Sequence, residues 1–154
     1  AGAKSILDLP ATLEYLETMA VPVVGYGTDE FPAFFSNRSG LKVSVRLDTP
    51  EEIANFAKAH WDLGIKSAIL VTNPIPEEYS LDDDFINPII AQASQDAQDR
   101  GIGGQALTPF LLARINELSE GRSLKSNLVL LHNNATLAAK IAKVMVEQKG
   151  RKVI

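Results

Sequence analysis

The feature that most constrains this chain is an alternation along its length. Short, nearly all-apolar runs are separated by stretches whose apolar residues recur at helical spacing. The runs at 21–26, 68–71 and 127–131 are mostly Val, Ile and Leu, and 41–47 is rich in valine and alternates in places; all four read as strands. A strand that is apolar throughout is buried on both faces, and strands joined through helices become parallel neighbours. The expected fold is therefore α/β: a mainly parallel sheet with helices on both faces, in α-β-α layers. Only four or five strands are available, which is lean for a complete layered fold. No internal repeat, low-complexity tract or linker interrupts the chain, so it reads as one unit.

The helix signals are local. Asp8 caps a helix with Pro10 in its first turn, running to about residue 19. Thr49-Pro50-Glu51-Glu52 is a capping box with proline at the first helical position, and Gly64 stops that helix. Within it Ile53, Phe56, Ala57 and His60 or Trp61 repeat at helical spacing. Thr72-Asn73-Pro74-Ile75-Pro76 holds two prolines in three residues and is an extended loop. A polar helix is expected over 84–100, a break at Gly103-Gly104, and a helix capped at Thr108-Pro109 that runs to about 119. The last helix, 134–148, carries Leu137, Ile141, Val144 and Met145 along one face, with Asn134 read either as its cap or, beside Asn133, as an active-site polar group.

Composition removes whole classes of function. With 154 residues the chain can bury roughly 70% of its unfolded surface. Fifteen basic against nineteen acidic side chains leave a net charge of −4, so there is no basic footprint for nucleic acid. There are no cysteines, which excludes disulfides and thiolate sites and is compatible with a reducing cytoplasm. No apolar run approaches the ~18 residues of a membrane span, and no partner membrane is expected.

In parallel sheets, sites gather where strands end and loops begin. That rule selects residues 1–5, 26–46, 72–79 and 123–134. None holds a generic catalytic pattern: Gly101-Ile102-Gly103-Gly104 has neither the spacing nor the preceding strand of a phosphate-binding loop. His60 and His132 read as structural or solvated, and Asp82-Asp83-Asp84 as a helix start favoured by the dipole, without the spaced ligands of a calcium loop. Phe31, Phe34 and Phe35 near Pro32 read as core or subunit-contact residues rather than as stacking partners for a base.

Four word-like stretches carry more. They are Ala1-Gly2-Ala3-Lys4-Ser5-Ile6-Leu7-Asp8, then Pro22-Val23-Val24-Gly25-Tyr26-Gly27-Thr28-Asp29-Glu30-Phe31-Pro32-Ala33-Phe34-Phe35, then Asn73-Pro74-Ile75-Pro76-Glu77-Glu78-Tyr79. Last comes Thr108-Pro109-Phe110-Leu111-Leu112-Ala113-Arg114, with Ser123-Leu124-Lys125-Ser126-Asn127 and Asn133-Asn134-Ala135 behind it. Together they resemble the carboxy-terminal half of a pseudouridine-5′-phosphate glycosidase, the family that includes indigoidine-synthase-A-like proteins, and the resemblance covers nearly the whole chain.

The resemblance implies a lyase-type reaction in which pseudouridine 5′-phosphate and water become uracil and ribose 5-phosphate. A carbon–carbon glycosidic bond breaks, so two-carboxylate glycoside hydrolysis does not suffice. The family uses a lysine that attacks the anomeric carbon to give a ring-opened imine adduct, an acid that protonates the base, and a divalent metal, typically manganese. Lys4 matches the nucleophile and Asn127 an active-site asparagine, with Ser5 and Asn133 as candidate substrate contacts. An amine forms a Schiff base only when unprotonated, and an asparagine donates and accepts at once, so both residue types suit the chemistry.

The family's acid glutamate, phosphate-binding lysine and metal-binding aspartate precede the Ala-Gly-x-Lys-Ser segment, so no metal ligand is expected in residues 1–154. The beginning, Ala1-Gly2-Ala3-Lys4 without Met, reads like a cut inside a domain. Proteolysis, partial expression and a truncated paralogue all fit. The resemblance further implies a homotrimer, the amino-terminal half as partner, and an inactive chain in isolation. The competing readings are a non-catalytic α/β assembly module, or a relative that makes C-ribosides in pigment or antibiotic biosynthesis.

Overall fold

The computed structural model describes residues 2–3 and 8–150, the last two by backbone alone. Five helices and three strands follow in the order α1 (Leu9–Thr18), β1 (Val23–Tyr26), β2 (Val45–Leu47), α2 (Pro50–Asp62), β3 (Leu70–Thr72), α3 (Asp83–Asp99), α4 (Leu107–Leu118) and α5 (Arg122–Gly150). Short 3₁₀ turns lie at Glu77–Tyr79 and Gly104–Ala106. The sheet is parallel with order β2-β1-β3. Val24 sits opposite Val45 on one side and Val71 on the other. The α/β expectation holds.

The centre is β1. Its neighbours Val23 and Val24 point to opposite faces and are 3% and 0% exposed, so both faces are covered. Leu9, Leu13 and Leu16 of α1 pack on the Val23 side. The loop after β1 folds back closely at Gly25, where a Cβ would lie 2.1 Å from the Thr28 carbonyl oxygen and 3.0 Å from a Val43 methyl. A second core joins α3 and α4 through Ile86, Ala93, Ala97, Leu111 and Ile115, with Phe35 and Leu81 from the loops.

Most helix starts follow the sequence signals. The Asp8 carboxylate accepts from the Ala11 N–H, and Thr49 and Glu52 form the reciprocal box. Asp82 caps α3 by accepting from the Asp84 N–H. His60 is 9% exposed, and its Nε2 lies 3.0 Å from the Ser67 hydroxyl. It is a structural histidine, while Trp61 faces outward.

Three expectations need correction. Residues 127–131 are not a strand but part of α5, about 43 Å of continuous helix at 1.5 Å per residue. Between Gly121 and Gly150 there is neither glycine nor proline to stop a helix. The buried set Ser123, Ser126, Leu130 and Leu137 keeps a period near 3.6, while Leu124, Leu128 and Leu131 stay exposed. Asn134 and His132 are consequently helix-interior residues, neither a cap nor a strand end. The second strand is shorter than 41–47, because residues 41–43 pair back on 29–31: the Phe31 N–H donates to the Leu41 carbonyl and the Val43 N–H to that of Asp29. Thr108 does not cap α4, whose entry is the turn at Gly104–Ala106 with Ala106 at the cap position and no side-chain cap.

Candidate functional site

The carboxyl ends of β1 and β3 open on a cavity of about 180 Å³. This is where a parallel sheet exposes backbone and loops that helices do not cover. Its wall is built from four segments: Gly2 and Ala3, the loop after β1 with Pro32 and Phe34, the loop after β3 with Asn73 and Ile75, and one face of α5 with Asn127, Leu130, Leu131 and Asn134.

Each segment is fixed by a local cause. Thr72, wholly buried, donates its hydroxyl to the Val24 carbonyl at 3.1 Å and locks the end of β3 to β1. Pro74 and Pro76 then hold the following residues extended, which buries Ile75 to 2% exposure. Two consecutive asparagines of α5 grip that loop. Asn133 Nδ2 donates to the Pro74 carbonyl at 3.1 Å, and Asn73 Nδ2 donates to Asn134 Oδ1 at 3.2 Å. Asn127 and Asn134 are seven residues apart, two helical turns, so both face the cavity. Lys125 adds a further tie, its ammonium 5.4 Å from the centre of the Tyr79 ring.

Phe34, from the loop after β1, lines the same cavity. It has φ +34°, a left-handed conformation that costs a residue with a Cβ about 1–2 kcal/mol. The turn that imposes it is closed by reciprocal bonds between Ala33 and Ser36, at 3.0 and 2.7 Å. Its neighbours Phe31 and Phe35 are core residues at 0% and 2% exposure, as expected, whereas Phe34 is half-buried on the cavity.

The described lining is apolar with three amides and no ionisable side chain. Such a wall can hold a small polar molecule and satisfy its donors and acceptors, but it supplies neither acid nor nucleophile. The titratable groups that are clearly shifted lie elsewhere. Glu52 is held below the usual carboxylate range by the backbone N–H groups of Asp48 and Thr49, and Asp96 by the Arg114 guanidinium. Among the described residues no cluster of three or more His, Asp and Glu side chains could hold a metal. The amide oxygens are acceptable manganese donors, but the described lining brings no carboxylate to join them. No helix among the described residues is long and apolar enough to cross a membrane.

Of the residues singled out in the sequence, Asn127 lines this cavity, and Asn133 braces the wall without lining it. Lys4 and Ser5 lie outside the described residues. Ala3, the residue before Lys4, is 6% exposed and lines the cavity. Sequence reasoning weighed Asn134 as an active-site polar group against a cap, and it lines the cavity; Asn73 and Phe34 were missed as lining residues. The spacing of Asn127 and Asn134 is a signal, but only once both are placed on one helix.

Comparison with known proteins converges. The family model described as "Indigoidine synthase A like protein" matches residues 1–144. Among curated relatives, the pseudouridine-5′-phosphate glycosidase of Caldanaerobacter subterraneus subsp. tengcongensis is 58% identical over 92% of this chain and 46% of its own length. Pseudouridine-5′-phosphate glycosidase 2 of Rhizobium johnstonii is 60% identical over the same shares. The chain thus spans about half the length of these relatives. Among solved structures, the prealnumycin C-glycosynthase AlnA in complex with ribulose 5-phosphate superposes with a TM-score of 0.86 at 34% identity. That match covers 98% of this chain and 50% of the other. An indigoidine synthase A-like protein from Thermotoga maritima gives 0.82 at 40% identity, over 92% and 46%.

Proposed function

The chain belongs to the indigoidine synthase A like protein family, and from that premise we infer that it forms the nucleophile-bearing half of a pseudouridine-5′-phosphate glycosidase. The observation that carries this reading is a coincidence in space. Asn127 and Ala3, which precedes Lys4, are 124 positions apart and line one cavity at the carboxyl end of the sheet. The family model matches residues 1–144 and so includes both.

In this reading the neutral Lys4 amine bonds to the anomeric carbon of the substrate sugar as that carbon's bond to the ring oxygen breaks, the oxygen taking up a proton to become a hydroxyl and the sugar opening. The carbon–carbon bond to the base then breaks as the base carbon gains a proton, releasing uracil. Water hydrolyses the remaining imine, which frees ribose 5-phosphate and restores the amine. Asn127 hydrogen-bonds the substrate or adduct, and Ser5 and Asn133 are further candidate contacts. The proton donor, the phosphate-binding group and the ligands of manganese belong to the half of the relatives that this chain does not match, and the enzyme acts as a homotrimer.

The test uses a complete polypeptide carrying this region, supplied with manganese and pseudouridine 5′-phosphate. Uracil is released, and Asn127→Ala slows kcat by about a hundredfold, the effect of removing one well-placed polar group. The 154-residue chain alone releases none. Absence of release from the complete protein, or release undiminished by Asn127→Ala, refutes the assignment.

A further inference from the structure

We propose that Phe34 is a specificity-determining residue: its ring is the surface against which the planar leaving base packs, in the cavity that the amides of Asn73, Asn127 and Asn134 also line. The proposal deepens the glycosidase reading and rests on it for the identity of the base.

The first support is the backbone. A non-glycine residue at φ +34° is unfavourable, and glycine or asparagine would relieve it. Strain of this kind persists where the surroundings enforce it, here through the paired Ala33–Ser36 hydrogen bonds. Phe34 packs in part against the α3–α4 core, but that packing leaves it partly open. Phe35, next in sequence, is 2% exposed and already fills the core, meeting Phe34 edge-to-face with ring centres 4.7 Å apart. Phe34 remains half-buried and lines the cavity.

The second support is the make-up of the lining, which joins the Phe34 ring with three amides. A planar heterocycle is recognised by an aromatic or apolar surface against its face and by hydrogen bonds along its edge. Amide side chains offer both donors and acceptors, as the edge of a pyrimidine does. Size agrees as well. About 180 Å³ lies below the ~300–1,000 Å³ of sites for drug-sized ligands, so the cavity suits one ring rather than a whole nucleotide.

The test measures the base and sugar halves separately in the complete polypeptide, with Phe34→Leu and Phe34→Tyr as variants and melting temperature as a check on folding. Free uracil binding is read by calorimetry, and sugar binding by borohydride trapping of ribose 5-phosphate. Phe34→Leu should weaken uracil about five- to hundredfold, the range for loss of one base–aromatic stack, while leaving the concentration dependence of trapping unchanged. Phe34→Tyr keeps the ring and should bind uracil within a few-fold of the parent. The proposal is overturned if the parent does not bind uracil, if Phe34→Leu binds it equally well, or if uracil and ribose 5-phosphate weaken together. If the parent binds uracil through Phe34 but forms no sugar adduct, the glycosidase reading fails while the base wall stands.

Discussion

Replacing Gly25 by alanine perturbs the point where strand, loop and cavity wall meet. The added Cβ lies 2.1 Å from the Thr28 carbonyl oxygen and 3.0 Å from Val43 Cγ2. The first is a backbone atom, so no side-chain rotation relieves the clash. Gly25 is also paired on both sides, with Arg46 and Thr72. β1 cannot yield without breaking the sheet, so the loop from Thr28 onward must move, and that loop carries Pro32 and Phe34. Overpacking of this kind lies at the upper end of its usual range, about 3 kcal/mol or more. For a chain of this size that lowers Tm by roughly 6–12 °C. Gly27→Ala is the control: its φ is +65°, and nothing lies within 4 Å of the added Cβ. It should cost only the left-handed penalty, about 1–2 kcal/mol. Chemical denaturation of both variants in the same background decides the matter. Equal losses, or a smaller loss for Gly25→Ala, would refute the argument from close approach.

Other consequences follow from particular contacts. Asn73→Ala removes the amide that joins the β3 loop to Asn134 and should cost about 2 kcal/mol, seen by urea unfolding. Ala20 ends α1 at φ +52°, its N–H donating to the Glu17 carbonyl, so Ala20→Gly should raise stability by about 1 kcal/mol and Tm by a few degrees. Asp96 has a lowered pKa through its 2.6 Å bond from Arg114, so its contribution to stability is present at neutral pH and lost as pH falls below about 4. Asp96→Asn should melt below the parent at pH 7, and the gap should close in acid. A gap that is constant with pH would contradict the ion-pair reading.

Local chemistry made much of the fold legible. Thr49-Pro50-Glu51-Glu52 specifies its own helix start through two short-range bonds, and the structure contains both. Where long-range packing decides, the sequence is ambiguous. Asn127-Leu128-Val129-Leu130-Leu131 is apolar enough for a buried strand, and five residues cannot distinguish period 2 from period 3.6. The serines at 119, 123 and 126 are the neighbouring clue: all three are buried, at 1%, 3% and 2%, and continue through Leu130 to Leu137. Misplacing this segment also hid the site, since Asn127 and Asn134 share a face only on a helix. Phe34 was hidden differently, because its conformation comes from a turn closed four residues wide between two core aromatics. Lys4 and Asn127 were singled out only through family resemblance, as an isolated lysine or asparagine carries no chemical pattern of its own.

The central claim is that this chain supplies the amine that captures the sugar. Its most direct test is intact-mass measurement of the complete protein after incubation with ribose 5-phosphate and borohydride, followed by peptide mapping. The account predicts one reduced sugar adduct per chain, located on Lys4 and abolished by Lys4→Ala. An adduct on another lysine, or none in a protein that still releases uracil, would contradict it.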